Sequence, residues 1–145
     1  MIYENKTLHL VKSEDLNHHW TLFAGRMAEW MVEACYIAAA RLYGKPEDLV
    51  CVKVHGLTFK KPATKGDIIE IVTRISHVGD KSITVTGDVF VNSHGENISA
   101  SVNGMATFVT VNKENKSYSH GIKLEEKYIK ENKELLENTK KLLQK

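Results

Sequence analysis

The sequence predicts an α+β fold in which an antiparallel sheet wraps around one long central helix, with a further helix near the C-terminal end. Three observations support this prediction. One Ala-rich, apolar segment of about twenty residues has helical character, alternating β-branched segments follow it, and an amphipathic Lys- and Glu-rich segment comes last. A helix that is apolar on most sides must be covered, and an antiparallel sheet offers one face for this.

Each element has its own signal. The central helix is expected from Thr21, which would cap it, to Leu42, and Gly44 would end it. We expect one domain over residues 1–145, with its core at about 3–112 and a helical extension at about 123–143. The predicted strands are 3–11, 48–59, 68–79, 81–92 and 98–111, and short turns would join the last four as a meander. The predicted C-terminal helix is 124–143.

The bulk composition excludes several classes of protein. The chain has 145 residues and a net charge of only +2, without an Arg-rich patch, which argues against nucleic acid or a membrane as partner. No apolar run approaches the roughly 20 residues of a membrane span, and the N-terminal segment does not resemble a signal peptide. Cys35 and Cys51 are the only two cysteines, and they form neither a CxxC pair nor a metal-ligand spacing. We therefore expect a cytoplasmic protein with two free thiols.

Five short motifs occur in a fixed order between residues 8 and 112: Asn17, "LFAG" (22–25), "EWMVEACYIAAAR" (29–41), "FKKPATKGD" (59–67) and "VGDKS" (78–82). Together they resemble the hotdog-fold acyl-CoA thioesterases, especially the acyl-CoA hydrolase branch. The resemblance implies a hotdog fold and hydrolysis of an acyl-CoA thioester to free acid and CoA. It implies no required cofactor, since coenzyme A enters as part of the substrate. It also implies a homodimer at least, with tetramer and hexamer left open.

The chain departs from the pattern of this family at three positions. Ala24 replaces the first glycine of a pair, and Trp20 stands where a glycine is usual. Val32 occupies the position that usually carries the catalytic aspartate, and Glu33 follows it. The departure at Val32 keeps two alternatives open. One is an acyl-CoA lyase or hydratase that acts at the α and β carbons, and the other is a non-catalytic acyl-CoA-binding protein.

The chemistry of thioester hydrolysis suggests which residues take part. A backbone N–H at Gly25, in the first turn of the helix, would polarise the carbonyl. Glu33 has apolar neighbours in sequence and is the candidate general base. Asn17 and His19 precede the helix and would orient the water or the carbonyl. The alternative for the carboxylates is an exposed helix face on which Glu29 pairs with Arg26, and this alternative is favoured for Glu29.

The spacing of Gly25 and Glu33 has a consequence for assembly. Eight residues of helix span roughly 12 Å, which one carbonyl and its attacking water cannot bridge. If both residues act, Gly25 of one subunit must face Glu33 of another. The sequence therefore predicts a symmetric dimer with two sites at its interface.

Other residues receive weaker assignments. Trp20 and Phe23 are expected to line an acyl pocket or the core. His18 and His19 have no firm counterpart in the family. His55, in a strand with Leu57 and Phe59, is expected to be a hydrogen-bonded core histidine. No metal site is predicted, because adjacent histidines without a third ligand are weak support. The candidates for binding the phosphates of CoA are Lys60, Lys61, Lys81 and Ser82.

Overall fold

The computed structural model describes the backbone of residues 1–145 and every side chain except those of Phe59 and residues 97–102. The strands are β1 (Glu4–Leu10), β2 (Leu49–Phe59), β3 (Ile68–Val78), β4 (Ser82–Ser93) and β5 (Glu96–Thr110). The helices are α1 (Ala24–Tyr43), α2 (Glu126–Glu131) and α3 (Lys133–Leu143). The predicted α+β class is confirmed.

The five strands form one antiparallel sheet in the order β1-β3-β4-β5-β2. The predicted meander is therefore correct for β3, β4 and β5 and wrong for β2, which pairs with β5 rather than β3. Residues 60–67, which would form a short turn in the predicted meander, instead carry the chain across the sheet. Three strand spacings amount to roughly 14 Å, which eight residues span easily.

Helix α1 lies on the inner face of the sheet and buries one stripe of its surface. The stripe consists of Met27, Trp30, Met31, Ala34, Cys35, Ala38, Ala39 and Leu42. The prediction that Thr21 caps this helix is wrong, since the N-cap is Phe23 and no side chain caps the first turn. Gly44 ends the helix as predicted, in a left-handed conformation with φ of 84° and its N–H donating to the Ala40 carbonyl.

Two glycines in the sheet allow α1 to approach closely. Gly87 of β4 and Gly104 of β5 are register partners beneath Met31. A Cβ atom on Gly87 would lie 2.5 Å from the Met31 sulfur, and one on Gly104 would lie 2.7 Å from Leu57 Cδ2. The helix therefore packs on a strip of backbone, which fixes its height above the sheet.

The C-terminal segment packs against the opposite, outer face of the sheet. The single helix predicted over 124–143 is wrong in one respect, because the segment breaks at Asn132 into α2 and α3. The Tyr128 hydroxyl donates to the Ile75 carbonyl at 2.5 Å, and its ring stacks on Tyr3 with centroids 4.1 Å apart. These contacts fasten α2 to the edge of the sheet near β1.

The edge strand β2 exposes a row of apolar side chains. β2 presents Val50, Val52 and Val54, each more than 40% exposed, along an edge that pairs with no other strand of the described residues. A long apolar edge is a ready site for pairing with another chain. Among the described residues, no helix combines the length and hydrophobicity that crossing a bilayer requires.

We expect Gly87→Ala to destabilise the fold by about 1–3 kcal/mol, because the added methyl group pushes against Met31. Denaturant unfolding measures the change, and the same substitution in a Met31→Ala background is the control. The cost of the glycine substitution should shrink in that background, where the opposing side chain is gone. An equal cost in both backgrounds would contradict the packing described above.

Candidate active site

A cavity of about 280 Å³ lies where α1 begins, between the helix and the sheet. Its walls are mostly apolar, and its mouth carries one amide and two ammonium groups. The lining residues are Asn17, Thr21, Leu22, Ala24, Met27, Lys60, Lys61, Pro62, Ala63, Ile69, Val89 and Val91. A mostly apolar cavity with a few convergent polar groups is the usual form of a site for a small amphiphilic ligand.

Asn17 organises the loop that precedes α1. Its side-chain carbonyl accepts hydrogen bonds from the His19 N–H at 2.8 Å and the Thr21 N–H at 3.3 Å. Its amide nitrogen donates to Thr21 Oγ1 at 3.0 Å. Asn17 therefore holds a tight turn, and the structure places it in the cavity wall as well. His19 takes part in this turn through its backbone, while its side chain is exposed.

Gly25 is exposed in the first turn of α1. Among the described residues, no hydrogen bond from its backbone N–H occurs, as is usual for the first donors of a helix. A Cβ atom here would lie 2.5 Å from Cε1 of the Phe23 ring, so the ring packs directly against this glycine. The helix start thus offers a donor with positive helix polarity beside the cavity.

The four residues predicted to bind CoA lie at two ends of the sheet. Lys60 and Lys61 follow β2 and line the cavity, whereas Lys81 and Ser82 lie where β4 begins. Strands of this length separate the two ends by roughly 30 Å. Within one chain these groups therefore do not share a site. They come together only if the far end of a second copy lies beside the cavity.

The two neighbouring positions 32 and 33 point to different flanks of α1. Glu33 shares its flank with Trp30, which stacks on His9 of β1, and with Arg41, which donates to Asn5 of β1. Val32 shares its side with Tyr36, whose ring meets Phe108 of β5. Glu33, predicted to lie among apolar residues, has an exposed side chain within the chain.

A buried carboxylate that sequence reasoning missed supports the start of α1. The Asp15 side chain is 1% exposed and pairs with Arg26 at 3.0 Å, and it also accepts the Lys12 N–H at 2.9 Å. The predicted pairing of Arg26 with Glu29 is therefore wrong. The three-residue spacing of Lys12 and Asp15 was the available signal, because such a carboxylate often caps a turn.

His9 is the second group that the sequence did not single out. Its ring stacks on Trp30 with centroids 4.4 Å apart and planes 8° from parallel. Burial lowers the pKa of His9, while the carboxylates of Glu33 and then Asp15 oppose this by favouring the imidazolium. His9 and Glu33 are thus electrostatic neighbours above the β1 edge.

Three aromatic assignments change. Trp20 is 76% exposed and Phe23 is 55% exposed, so the expectation that they line the pocket or the core is wrong. His55 has the predicted hydrogen bond, to Thr107 Oγ1 at 2.6 Å, but it is half-buried on the outer face and not in the core. A register shift between Val54 and Gly56 turns it there. The Phe59 side chain, predicted on the same face, lies outside the described residues.

Metal ligation finds no support in the geometry. Among the described side chains, no group of three or more His, Cys, Asp or Glu residues is placed to hold a metal ion. His18 and His19 are both exposed, and their ring centroids lie 4.0 Å apart.

Comparison with known proteins agrees with the fold. The family model of the thioesterase superfamily matches residues 19–98, which is more than half of the chain. No curated protein matches the sequence.

Several solved structures are similar over most of their length. The acyl-CoA hydrolase of Staphylococcus aureus, solved with butyryl coenzyme A and coenzyme A, is 23% identical with a TM-score of 0.81, over 97% of this chain and 84% of that one. A hexameric thioesterase from Yersinia pestis is 27% identical with a TM-score of 0.72, over 78% and 91%. A hexameric hotdog-fold thioesterase from Campylobacter jejuni is 27% identical with a TM-score of 0.67, over 78% and 86%.

The chain therefore belongs to the thioesterase superfamily and has the hotdog fold of these relatives. The resemblance read from the five motifs is confirmed, and the enzyme class is that of a thioesterase.

We expect Glu33→Gln to lower the pKa of His9 further, because the substitution removes the main charge that favours the imidazolium. NMR titration of the His9 ring protons measures this pKa. Glu29→Gln is the matched control on the same helix and should leave it unchanged. A His9 pKa that stays the same in the Glu33 variant would contradict the arrangement of Glu33, Trp30 and His9.

Proposed function

We propose that this protein hydrolyses an acyl-CoA thioester at the cavity beside the start of α1. The single observation that carries the proposal is the juxtaposition at this cavity. An apolar chamber and two lysines meet beside the first turn of α1, where the Gly25 N–H has no hydrogen bond among the described residues. The apolar walls suit an acyl chain, and the ammonium groups suit the phosphates of CoA.

In the proposed reaction, the thioester carbonyl oxygen accepts a hydrogen bond from the Gly25 N–H. Water adds to the carbonyl carbon, and a carboxylate takes its proton. The negative charge that develops on oxygen is stabilised by the amide and by the helix dipole. The C–S bond then breaks, so the products are the free acid and the thiol of CoA. Asn17 holds the loop that aligns these groups, and its side chain borders the cavity.

Glu33 is the proposed general base, acting on the site of a second copy. Gly25, Glu29 and Glu33 all lie on the exposed face of α1. Two copies that pack antiparallel along this face bring Gly25 of one opposite Glu33 of the other. The same arrangement carries the Lys81 and Ser82 end of one copy toward the Lys60 and Lys61 end of the other. The minimal active unit is thus a homodimer, and the hexamers described for relatives are compatible with it.

The relative from S. aureus supports an alternative to this proposal. Its solved structures include variants in which an asparagine or an aspartate fifteen residues further on is replaced by alanine. Asn17 and Val32 are also fifteen residues apart. This equal spacing supports a role for Asn17 and supports Val32 as the counterpart of that aspartate. A lyase or hydratase, which leaves the thioester intact, is the second candidate function for this reason.

A panel of acyl-CoA substrates with a thiol reagent separates the two candidates. Release of free thiol supports hydrolysis. An intact thioester with a change in enoyl absorbance would contradict hydrolysis and support a lyase or hydratase. Binding with neither change would contradict both catalytic functions.

We expect Glu33→Gln to lower kcat for thiol release by about a hundredfold or more, while CoA binding survives. Glu29→Gln is the control and should change kcat little. Steady-state kinetics measures both variants, and circular dichroism checks that they are folded. Full activity of the Glu33 variant, together with a gain of activity in Val32→Asp, would contradict the role of Glu33 as general base. It would show that water is activated on the Val32 flank of the helix.

A further inference from the structure

The sheet beneath the middle of α1 is bare backbone at two adjacent positions. Gly87 of β4 and Gly104 of β5 are register partners, and the side chain of Met31 fills the space above both of them. A Cβ atom on Gly104 would lie 3.0 Å from Met31 Cγ and 3.2 Å from its sulfur. Met31 is itself buried, with 1% of the residue exposed. A hollow in the inner face of the sheet is therefore occupied by one unbranched side chain.

This hollow continues the line of the cavity at the start of α1. On the helix, Met31 lies one turn after Met27, which lines the cavity. On β4, Gly87 lies two residues from Val89, which also lines the cavity, so both residues point to the inner face. The polar mouth of the cavity, with Asn17, lies at the other end. Met31 does not line the cavity, but it lies directly behind the cavity's inner end.

Beyond Met31, the helix lies close to the sheet and leaves little room. The buried residues of α1 between Met31 and Leu42 all have small side chains, and they are Ala34, Cys35, Ala38 and Ala39. The sulfur of Cys35 lies 4.0 Å from the carbonyl oxygen of Val85 in β4. A helix with small side chains packs with its backbone near the opposing surface. Removal of the Met31 side chain would therefore lengthen the cavity by about the volume of that side chain and little more.

We propose that Met31 sets the longest acyl chain that the cavity accepts, and that the substrates are thioesters of short, linear acyl chains. This inference rests on the proposed function, because it takes the ligand of the cavity to be an acyl-CoA. The cavity of about 280 Å³ lies at the lower limit of the roughly 300–1,000 Å³ that is usual for a small-molecule site. Each methylene that fits the cavity leaves water and favours binding. A methylene beyond its inner end must displace Met31 from a packed core.

Binding of S-alkyl-CoA thioethers of increasing chain length tests this role without requiring turnover. Calorimetry should show that Kd falls about fourfold with each added methylene until the chain reaches Met31, and that it then levels off or rises. We expect Met31→Ala, which removes the Cγ, Sδ and Cε atoms, to move this limit outward by about three carbons. Met31→Leu conserves the volume of the side chain and should leave the limit unchanged.

Further variants separate a lengthened cavity from a general loosening of the core. Met105→Ala is the matched control, because Met105 follows Gly104 on β5 and its side chain lies on the outer face, beside Leu142 of α3. It should leave the limit unchanged. Gly87→Val in the Met31→Ala background fills the hollow from the sheet and should restore the original limit. Circular dichroism checks the folding of each variant, and Met31→Val is a milder truncation that should move the limit less far.

Binding and turnover together separate this inference from the proposed function. A limit that is unchanged in both Met31→Ala and Met31→Val, or that moves equally in Met105→Ala, would overturn the role of Met31 even if acyl-CoA thioesters are hydrolysed. If no thioester is hydrolysed while the limit for the thioethers still moves with Met31, the proposed function fails and the role of Met31 in chain length holds. A Kd that does not depend on chain length would overturn both the acyl cavity and this role.

Discussion

The rest of the structure depends on the packing of one helix against one sheet. Helix α1 buries eight of its twenty residues on the inner face, and it lies close because the sheet beneath Met31 is glycine backbone. Interiors packed at this density transmit small changes of position. The height and axial position of the helix therefore set where its first turn meets the cavity, and with it the placement of Gly25 relative to Asn17 and Lys60.

The start of the helix combines two opposed requirements. Its first N–H groups are left without an internal partner, which suits them to a developing negative charge. The loop before it must nevertheless be rigid, because a mobile N–H donor stabilises the developing negative charge only weakly. Asn17 and the buried Asp15–Arg26 pair provide that rigidity from the two sides of the turn. Their hydrogen bonds fix the loop that precedes α1, and this loop positions the donor proposed for the reaction.

Much of this arrangement is readable in the sequence, and the limits have physical causes. The existence of α1 and five strands follows from periodicity, and Gly44 marks a helix end because only a left-handed residue fits there. The strand order was partly missed, because β2 and β3 have the same local signals whether or not they pair. The exposure of Trp20 and Glu33 was missed because hydrophobic neighbours in sequence are not neighbours in space. On a helix, Val32 and Glu33 point to different flanks despite being adjacent.

The measurement that tests the central claim most directly is a crystal structure with a non-hydrolysable ketone analogue of an acyl-CoA. The account predicts that the carbonyl oxygen lies about 3 Å from the Gly25 N–H, with the acyl chain in the cavity lined by Met27 and Ile69. The account also predicts a carboxylate of a second copy near the carbonyl carbon. A carbonyl held away from the first turn of α1, or an acyl chain outside this cavity, would contradict it.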